Sequence, residues 1–341
     1  MFNYIYSLAL DKRNDIFSKL IKSLLFFLSL FYTVIIRFIR YINLKKKYRF
    51  SCKVISVGNI VLGGTGKTVL VEYIASFLKK QKRQVAILSR GYAKGQNLTD
   101  EPNMLRQKLD IPVIVDKDRK RGISKAIEDY KIDTAIIDDG FQQWQIKKDL
   151  EILTLDARNP FGNGRLIPRG ILRESLDGLK RAEVVVLTKT NLNPHVLDLK
   201  IFLKEINPKI HIFEADYLPV GFYKIGEKEL VDSSFFMQKR VILLSGIADP
   251  NFFKDIILSL GIEVEAEIRF PDHYCYKRKD IESIRYISKT KKTNLFVTTE
   301  KDAVKIANFD LSGIDIFALR ISLKIKDEEV FHERISSIYN S

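Results

Sequence analysis

Residues 53–80 read KVISVGNIVLGGTGKTVLVEYIASFLKK, and this stretch decides the fold. A short apolar run, KVISV, ends at Gly58, and apolar residues recur at helical spacing from residue 67 to residue 80. The segment between them, GNIVLGGTGKT, is rich in glycine. A strand, a glycine-rich loop and a helix in this order bring backbone N–H groups and a helix N-terminus to one point, where they bind phosphate oxygens. The stretch therefore predicts a nucleotide-binding domain.

The loop supplies a group for each part of a nucleoside triphosphate and its metal ion. Its glycines permit close approach of the backbone, Lys67 reaches the β- and γ-phosphates, and the Thr68 hydroxyl ligates Mg²⁺. We predict that ATP contacts Val61, Leu62, Gly63, Gly64, Thr65, Gly66, Lys67 and Thr68. The strict pattern has glycine where Val61 stands, so this loop is a variant with Gly58 placed earlier. A glycine turn without a ligand is the alternative.

A pair of carboxylates follows a second apolar strand. Asp138 and Asp139 come directly after TAII and precede Gly140. Acidic residues in this position are common in ordinary turns, but a phosphate-binding loop elsewhere in the chain favours a role in holding Mg²⁺. The predicted metal ligands are Thr68, Asp138 and Asp139, with the choice between the two aspartates left open.

Short apolar strands alternate with helices along most of the chain, first in residues 53–188 and again in residues 241–299. This alternation predicts an α/β fold, with a P-loop NTPase-like parallel sheet, a second, smaller α/β domain and an N-terminal interfacial helix. Residues 216–240 contain polar turns and a predicted hairpin, and we expect the linker and hinge there. The predicted segments are 1–47 (helix), 48–215 (kinase domain), 216–240 (linker) and 241–341 (C-terminal domain).

Composition narrows the class of protein. With 341 residues, 46% hydrophobic and 29% charged, the chain has room for two domains and is too apolar to be disordered. Two cysteines, Cys52 and Cys275, exclude a disulfide framework and a four-cysteine zinc site. The net charge of +15 predicts an anionic partner, such as nucleic acid, lipid headgroups or a phosphorylated substrate.

An apolar run of 14 residues, SLLFFLSLFYTVII (23–36), carries basic residues on both sides. It is short for a bilayer span, and no signal-peptide cleavage site follows it. Basic side chains beside an apolar face favour a helix that lies in the interface of an anionic membrane. A buried core helix and a true span are the alternatives.

An ordered set of motifs resembles those of one family, the tetraacyldisaccharide 4'-kinases of lipid A synthesis. The motifs are SVGNIVLGGTGKT (56–68), LSRGY (88–92), DEP (100–102), KDR (117–119), IDDGFQ (137–142), GNGRLIPRGILRES (162–175), FPDHY (270–274) and TEKDAVK (299–305). The resemblance implies transfer of the ATP γ-phosphate to the 4'-hydroxyl of a tetraacylated glucosamine disaccharide 1-phosphate, which forms lipid IVA. It also implies Mg²⁺ and a peripheral or monotopic position on the cytoplasmic face of the inner membrane, with no obligate protein partner.

The resemblance also assigns roles to residues of these motifs. Asp100 is the expected base and His273 its partner, and with Lys67 they form the predicted catalytic set. The predicted substrate-binding residues are Arg90, Glu101, Arg119, Arg165 and Arg173. Asp100 and His273 fall in different predicted domains, so we expect the domains to close around the sugar.

Two other functions remain as alternatives. A soluble P-loop ATPase with a basic nucleic-acid-binding surface is disfavoured because basic residues are not interleaved with aromatic ones, and we expect no nucleic-acid partner. A nucleotide-binding scaffold without catalysis is disfavoured because the carboxylates and His273 are present.

Overall fold

The computed structural model describes residues 2–45, 47–90, 100–227, 229–272 and 274–340. The helices are α1 (Phe2–Ala9), α2 (Ile16–Lys45), α3 (Lys67–Lys80), α4 (Asp100–Leu109), α5 (Arg119–Tyr130), α6 (Val196–Ile206), α7 (Pro250–Ser259), α8 (Arg278–Lys291), α9 (Glu300–Ile306) and α10 (Glu328–Ser336). The strands are β1 (Lys53–Gly58), β2 (Val85–Ser89), β3 (Val113–Val115), β4 (Thr134–Asp138), β5 (Leu150–Asp156), β6 (Val184–Thr188), β7 (His211–Lys224), β8 (Leu230–Val231), β9 (Arg240–Ser245), β10 (Glu263–Arg269), β11 (Leu295–Thr299) and β12 (Asp315–Ile325).

The chain forms two compact units. Residues 2–90, 109–216 and 323–340 belong to the first unit, and residues 100–108 and 217–322 belong to the second. In the first unit, parallel strands follow the order β7-β6-β5-β1-β4-β2-β3. These strands are buried on both faces, as parallel sheets covered by helices are. The α/β fold with a parallel sheet is confirmed.

Strand β1 lies inside this sheet, between β4 and β5. Its register sets Val57 beside Asp138, so the end of β1 and the end of β4 meet at one edge. Ligands of open parallel sheets bind at this carboxyl edge. The topology thus brings the glycine-rich loop and the paired aspartates together, although more than seventy residues separate them.

The second unit has parallel strands in the order β10-β9-β11-β12, and the later part of β7 pairs with β8 as an antiparallel hairpin. Its core contains aromatic side chains that contact one another, with Phe222 and Phe236 in an edge-to-face pair at 4.6 Å. Helices α7, α8 and α9 belong to this unit. It is the smaller α/β domain that the sequence predicts.

The structure differs from the predicted domain boundaries in three places. Strand β7 continues through residue 216, so 216–240 is not a separate linker, although the hairpin is present. Residues 323–340 return to the first unit, where Phe331 contacts Phe213 at 5.0 Å. Residues 100–108 belong to the second unit, in which Lys108 pairs with Glu300 at 2.7 Å. Local sequence patterns carry no information on such returns of the chain.

Helix α2 has 30 residues and is therefore longer than its uncharged run. By length and composition it is able to cross a membrane, so the expectation that it is too short was wrong. The helix continues through its flanking basic residues. A narrow stripe, Ser18, Lys22, Leu25 and Ser29, is buried on the first unit.

Much of the remaining α2 surface is apolar and exposed, with the charged residues Lys19, Arg37 and Lys45 also exposed. Its exposed large apolar residues are Ile16, Phe17, Leu20, Leu24, Phe27, Leu28, Leu30, Phe31, Val34, Ile35, Phe38, Ile39, Tyr41 and Ile42. The N-terminal end of α2 is fixed by Asp11, whose Oδ1 lies 2.7 Å from Lys22 Nζ and 2.8 Å from Arg169 Nη2. Although partial burial opposes it, hydrogen bonds from Lys22 and Arg169 lower the pKa of Asp11 to about 2.

Candidate active site

The loop between β1 and α3 has the backbone of a phosphate-binding loop. Gly63 and Gly66 adopt φ angles of 118° and 87°, which side chains with a Cβ rarely tolerate. Gly66 occupies the N-cap of α3 and no side chain caps this helix, so its first N–H groups are left for another acceptor. Lys67 and Thr68 are the first two residues of the helix. The predicted nucleotide-binding residues thus lie on one loop at a helix N-terminus.

A chain of buried hydrogen bonds fixes this loop. The fully buried Asn59 donates from Nδ2 to Thr65 Oγ1 at 3.1 Å. Thr65 Oγ1 lies 2.7 Å from Thr154 Oγ1, which donates to the carbonyl of Gly58 at 3.1 Å. These bonds join both ends of the loop to β5. Neither Asn59 nor Thr154 was predicted to belong to the site. The available signal was a polar residue directly after an apolar strand for Asn59 and within one for Thr154.

The segment 165–173 runs beside the loop. Leu62 N–H donates to the carbonyl of Ile171 at 2.8 Å, and Arg173 N–H donates to the carbonyl of Ile60 at 2.8 Å. These backbone bonds set the direction of the Arg173 side chain. The motif that contains Arg173 is therefore part of the phosphate-loop structure.

Lys67, Asp139 and Arg173 form an ion triad at the mouth of the loop. Lys67 Nζ lies 3.5 Å from Asp139 Oδ1, and Arg173 Nη1 lies 2.9 Å from both carboxylate oxygens. Burial works to raise the pKa of Asp139, but the charges of Lys67 and Arg173 outweigh it and hold the pKa below its usual value. Asp139 is thus ionised and keeps two cations where anionic phosphates are expected.

Two glycines allow the turn after β4 to touch the end of β1. A Cβ on Gly58 would lie 2.5 Å from Phe141 Cβ, and a Cβ on Gly140 would lie 2.6 Å from Ser56 Oγ. Both distances are too short for real contacts, so larger residues would push the turn away from the loop. The small Gly140 of the DDGF motif is therefore needed to bring Asp138 and Asp139 close to the phosphate-binding loop.

The residues expected to hold Mg²⁺ fit that ion. Asp138 ends β4 and is 5% exposed, Asp139 belongs to the triad, and Thr68 lies in the first turn of α3. Hydroxyl and carboxylate oxygens are the hard ligands that Mg²⁺ prefers, usually with substrate phosphates completing its shell. Within the described residues, no group of three or more His, Cys, Asp or Glu forms a metal site from protein ligands alone. A site shared with ATP phosphates agrees with that finding.

A second polar network, which the sequence analysis did not predict, lies behind the loop. Gln142 Nε2 donates to the carbonyl of Asn59 and to Glu174 Oε1, both at 2.9 Å. Glu174 is 2% exposed and pairs with Arg181 at 2.9 Å. Tyr32 of α2 donates to the carbonyl of Arg173 at 2.7 Å. Gln142 and Glu174 lie inside two of the quoted motifs, which was the available signal.

Comparisons with known proteins agree with this geometry. Residues 21–340 match the sequence model of the family described as tetraacyldisaccharide-1-P 4'-kinase. The chain belongs to this family. It is 32% identical to the tetraacyldisaccharide 4'-kinase of Halothermothrix orenii, over 95% of this chain and 94% of that protein. The corresponding kinase of Elusimicrobium minutum is also 32% identical, over 90% of this chain and 88% of the relative.

A solved relative shares the fold. The crystal structure of LpxK from Aquifex aeolicus in complex with ATP is 30% identical to this chain and superposes with a TM-score of 0.74. The match covers 93% of this chain and 99% of that one. Both units therefore have counterparts in one solved member of the tetraacyldisaccharide-1-P 4'-kinase family.

The predicted substrate-binding arginines of this family member differ in burial and in their contacts. Arg119 is 2% exposed, and its guanidinium donates to the backbone carbonyls of Asp116 and, at 3.4 Å, Asp138. It therefore supports the end of β4. The Arg165 guanidinium lies over the ring of Phe26 at 5.2 Å, and Arg90 is exposed. Roles for these arginines in substrate binding stay predictions.

The predicted base and its partner are only partly described. Asp100 is the first residue of α4 and Glu101 the second, and their side chains are not described. His273 lies outside the described residues. The backbone at Asp100 and the segments on both sides of residue 273 belong to the second unit. The expected domain closure rested on placing this pair in different domains, and that placement was wrong.

The segments beside residue 273 are firmly attached within the second unit. Lys301 Nζ lies 3.4 Å from Asp272 Oδ1, and Tyr274 donates to Asp280 at 3.1 Å. Asp302 accepts from the backbone N–H of Gly246 at 2.9 Å. Thr299 caps α9, since its side chain accepts from the backbone N–H of Asp302. The TEKDAVK motif therefore supports the loop that carries FPDHY.

Proposed function

We propose that this chain is an ATP-dependent tetraacyldisaccharide 4'-kinase, which phosphorylates the 4'-hydroxyl of a tetraacylated glucosamine disaccharide 1-phosphate to form lipid IVA. The observation that carries the proposal is the ion triad. In a member of this kinase family, it holds the phosphate-loop lysine and an arginine beside a carboxylate, at a helix N-terminus without a side-chain cap.

The loop residues bind the nucleotide. When ATP enters, the N–H groups at the start of α3 donate to its phosphates, and Lys67 exchanges Asp139 for phosphate oxygens. Thr68, Asp138 and Asp139 would hold Mg²⁺, which supplies positive charge to the β- and γ-phosphates. Arg173 remains beside the site and stabilises charge on the transferred group.

Asp100 deprotonates the attacking hydroxyl and His273 orients it in this proposal, as the resemblance implies. The backbone of Asp100 begins α4 and belongs to the second unit. The described segments on both sides of residue 273 belong to the same unit, which supports a shared task for the DEP and FPDHY motifs. Arg90, Glu101, Arg165 and Arg173 are the proposed contacts to the sugar and its 1-phosphate. Arg119, also predicted from the resemblance, is buried and supports the end of β4 instead.

The exposed side of α2 supports a place on the membrane. It is apolar over most of the helix, while Arg37, Arg40 and Lys45 lie toward its end. Its buried stripe packs on the first unit, so the helix lies along the protein with its apolar side outward. We propose that the enzyme is peripheral or monotopic on the cytoplasmic face of the inner membrane and needs no protein partner.

Incubating the full chain with ATP, Mg²⁺ and the tetraacylated disaccharide 1-phosphate tests the reaction. Mass spectrometry should show one added phosphate on the non-reducing sugar. Lys67→Met should abolish it, whereas Lys80→Met, at the exposed end of the same helix, should not. Asp100→Asn should lower turnover at least 10²-fold with ATP affinity kept.

A different outcome identifies the competing function. If the lipid receives no phosphate and ATP hydrolysis instead rises with added oligonucleotide, the chain is a nucleic-acid-dependent ATPase. Unchanged lipid phosphorylation by Asp100→Asn would remove that residue as the base and leave the kinase activity standing.

A further inference from the structure

A cavity of about 320 Å³ lies in the first unit, away from the ion triad. Its wall includes Leu44 in the last turn of α2 and Lys47 after that helix, together with Trp144, Ile146, Lys147, Lys148 and Arg181. Small-molecule sites begin at about this size, roughly 300 Å³. We call it the Trp144 cavity. None of the motif residues assigned to ATP or sugar lines it.

The Trp144 cavity is lined by residues with buried N–H groups that have no acceptor. Trp144 is 6% exposed, and its Nε1 has no hydrogen-bond partner in the described part of the chain. The same holds for Nε and Nη1 of Arg181, whose Nη2 is bonded to Glu174. Buried donors normally find an acceptor. The Arg181 guanidinium also lies over the Phe141 ring at 4.4 Å, which offsets part of its burial. Because both residues line the cavity, a small side-chain rotation would let a ligand with acceptor oxygens bond to these donors.

The charges on the wall favour an anion. Two carboxylates line the cavity, but Glu151 pairs with Lys148, and Glu183 pairs with Arg334 from α10. Lys47 and Lys147 are exposed and add two further positive charges. The ligand chemistry is therefore that of a phosphate group, which accepts several hydrogen bonds and carries negative charge.

The position of the cavity indicates where the phosphate comes from. Residue 48 links the two sides of its wall, since Tyr48 N–H donates to the carbonyl of Gln145 at 2.8 Å and Lys147 N–H donates to the Tyr48 carbonyl at 2.9 Å. The cavity thus begins where the exposed apolar side of α2 ends. On a helix that lies in a membrane interface, this is the depth of the headgroups.

We propose that the Trp144 cavity binds the phosphate of an anionic membrane phospholipid. The site is separate from the ATP and sugar sites, and it would fix the depth and rotation of the enzyme on the bilayer. Arg181 joins the cavity wall to Glu174, and Gln142 joins Glu174 to Asn59 of the phosphate loop. A bound lipid thereby contacts the network that supports the nucleotide site.

The chain offers a direct readout, because Trp144 is its single tryptophan. The full chain in neutral detergent is titrated with short-chain phosphatidylglycerol, phosphatidylcholine of equal chain length, or inorganic phosphate, and Trp144 emission is followed. We expect a saturable change with phosphatidylglycerol and at least tenfold weaker responses with the other two. This titration needs neither ATP nor turnover. A negative result would therefore not contradict the kinase proposal, and a failed kinase assay would not contradict lipid binding in the Trp144 cavity.

Variants separate the cavity from general attraction to anions. Lys47→Gln with Lys147→Gln should weaken phosphatidylglycerol binding roughly fivefold for each lysine removed. Lys125→Gln, an exposed lysine of α5 outside the cavity wall, should leave it unchanged. Trp144→Phe keeps the ring and removes the N–H, and should reduce flotation with phosphatidylglycerol vesicles.

Three results would overturn the proposal. Equal responses to phosphatidylglycerol and phosphatidylcholine would mean that the cavity takes acyl chains rather than an anion. Saturation by inorganic phosphate at the same concentration would mean a site for a free anion. Equal loss of binding in Lys125→Gln and in the double variant would mean a diffuse surface effect.

Discussion

Replacing Asp139 with asparagine should change ATP binding in opposite directions with and without Mg²⁺. The carboxylate of Asp139 holds Lys67 at 3.5 Å and Arg173 at 2.9 Å, so ATP must compete with it for both cations. Without Mg²⁺, the asparagine competes less and the phosphates bind more tightly. With Mg²⁺, the variant lacks one of the oxygens expected to hold the metal and turns over slowly.

The size of the first effect follows from the distance and burial of the pair. Unit charges about 4 Å apart attract by roughly 1 kcal/mol in water and roughly 4 kcal/mol at an effective dielectric constant of 20. The side chains of Lys67 and Asp139 are 15% and 20% exposed, so the pair lies between these limits. Desolvation of the charges and the contacts that the asparagine amide still makes offset part of this attraction. We expect a net gain of about 1.4 kcal/mol, or about tenfold tighter binding of metal-free ATP.

Calorimetric titration with ATP in EDTA measures this gain, and turnover with Mg²⁺ should fall about 10²-fold. Asparagine tolerates the left-handed backbone at this position, where φ is 57°, so no strain is added. Asp149→Asn, which removes a carboxylate at the opposite end of β1, is the matched control. Weaker or unchanged binding of metal-free ATP to Asp139→Asn would refute the competition between Asp139 and phosphate.

Three further predictions concern the scaffold. Asp11 has a folded pKa of about 2 against an ordinary 3.8, so its contribution to stability is present above about pH 4 and is lost as the pH falls toward 2. The free energies of unfolding of Asp11→Asn and of the wild type should therefore converge as the pH is lowered over that range. Phe31→Glu and Val34→Glu, both on exposed positions of α2, should lower the fraction bound to anionic vesicles without changing the unfolding midpoint in urea. Asp302→Ala should destabilise the chain by about 1–3 kcal/mol in urea, because the N–H of Gly246 loses its acceptor.

The local pattern of apolar residues was sufficient to predict the central strands and helices of the first unit. Strand β4 coincides with the apolar run TAII and the aspartate after it, because buried parallel strands are short apolar runs. Helix α5 begins directly after a capping aspartate, Asp118. Helix α4 was not predicted from DEPNMLRQKL, since few of its residues are apolar. Its proline occupies the first turn, where proline is tolerated.

Contacts between distant segments were not available from the sequence. Asp139 and Arg173 both belong to motifs, but nothing in either motif states that they pair. The return of residues 323–340, which include α10, to the first unit is likewise not predictable, because helix and strand periodicity describe a segment and not its neighbour. The phosphate loop was predictable because its function needs one continuous stretch of chain.

The hydrogen bond from Tyr32 to the carbonyl of Arg173 connects α2 to the ion triad. Helix α2, which we propose lies in the membrane interface, is thereby joined to the backbone of the residue that pairs with Asp139, so a shift of the helix would also move Arg173 in the triad. Removing α2 to obtain a chain that needs no detergent would therefore also remove a contact that holds Arg173 in place. If α2 lies in the interface as proposed, the bilayer that positions this helix also contributes to the position of Arg173 beside the nucleotide site.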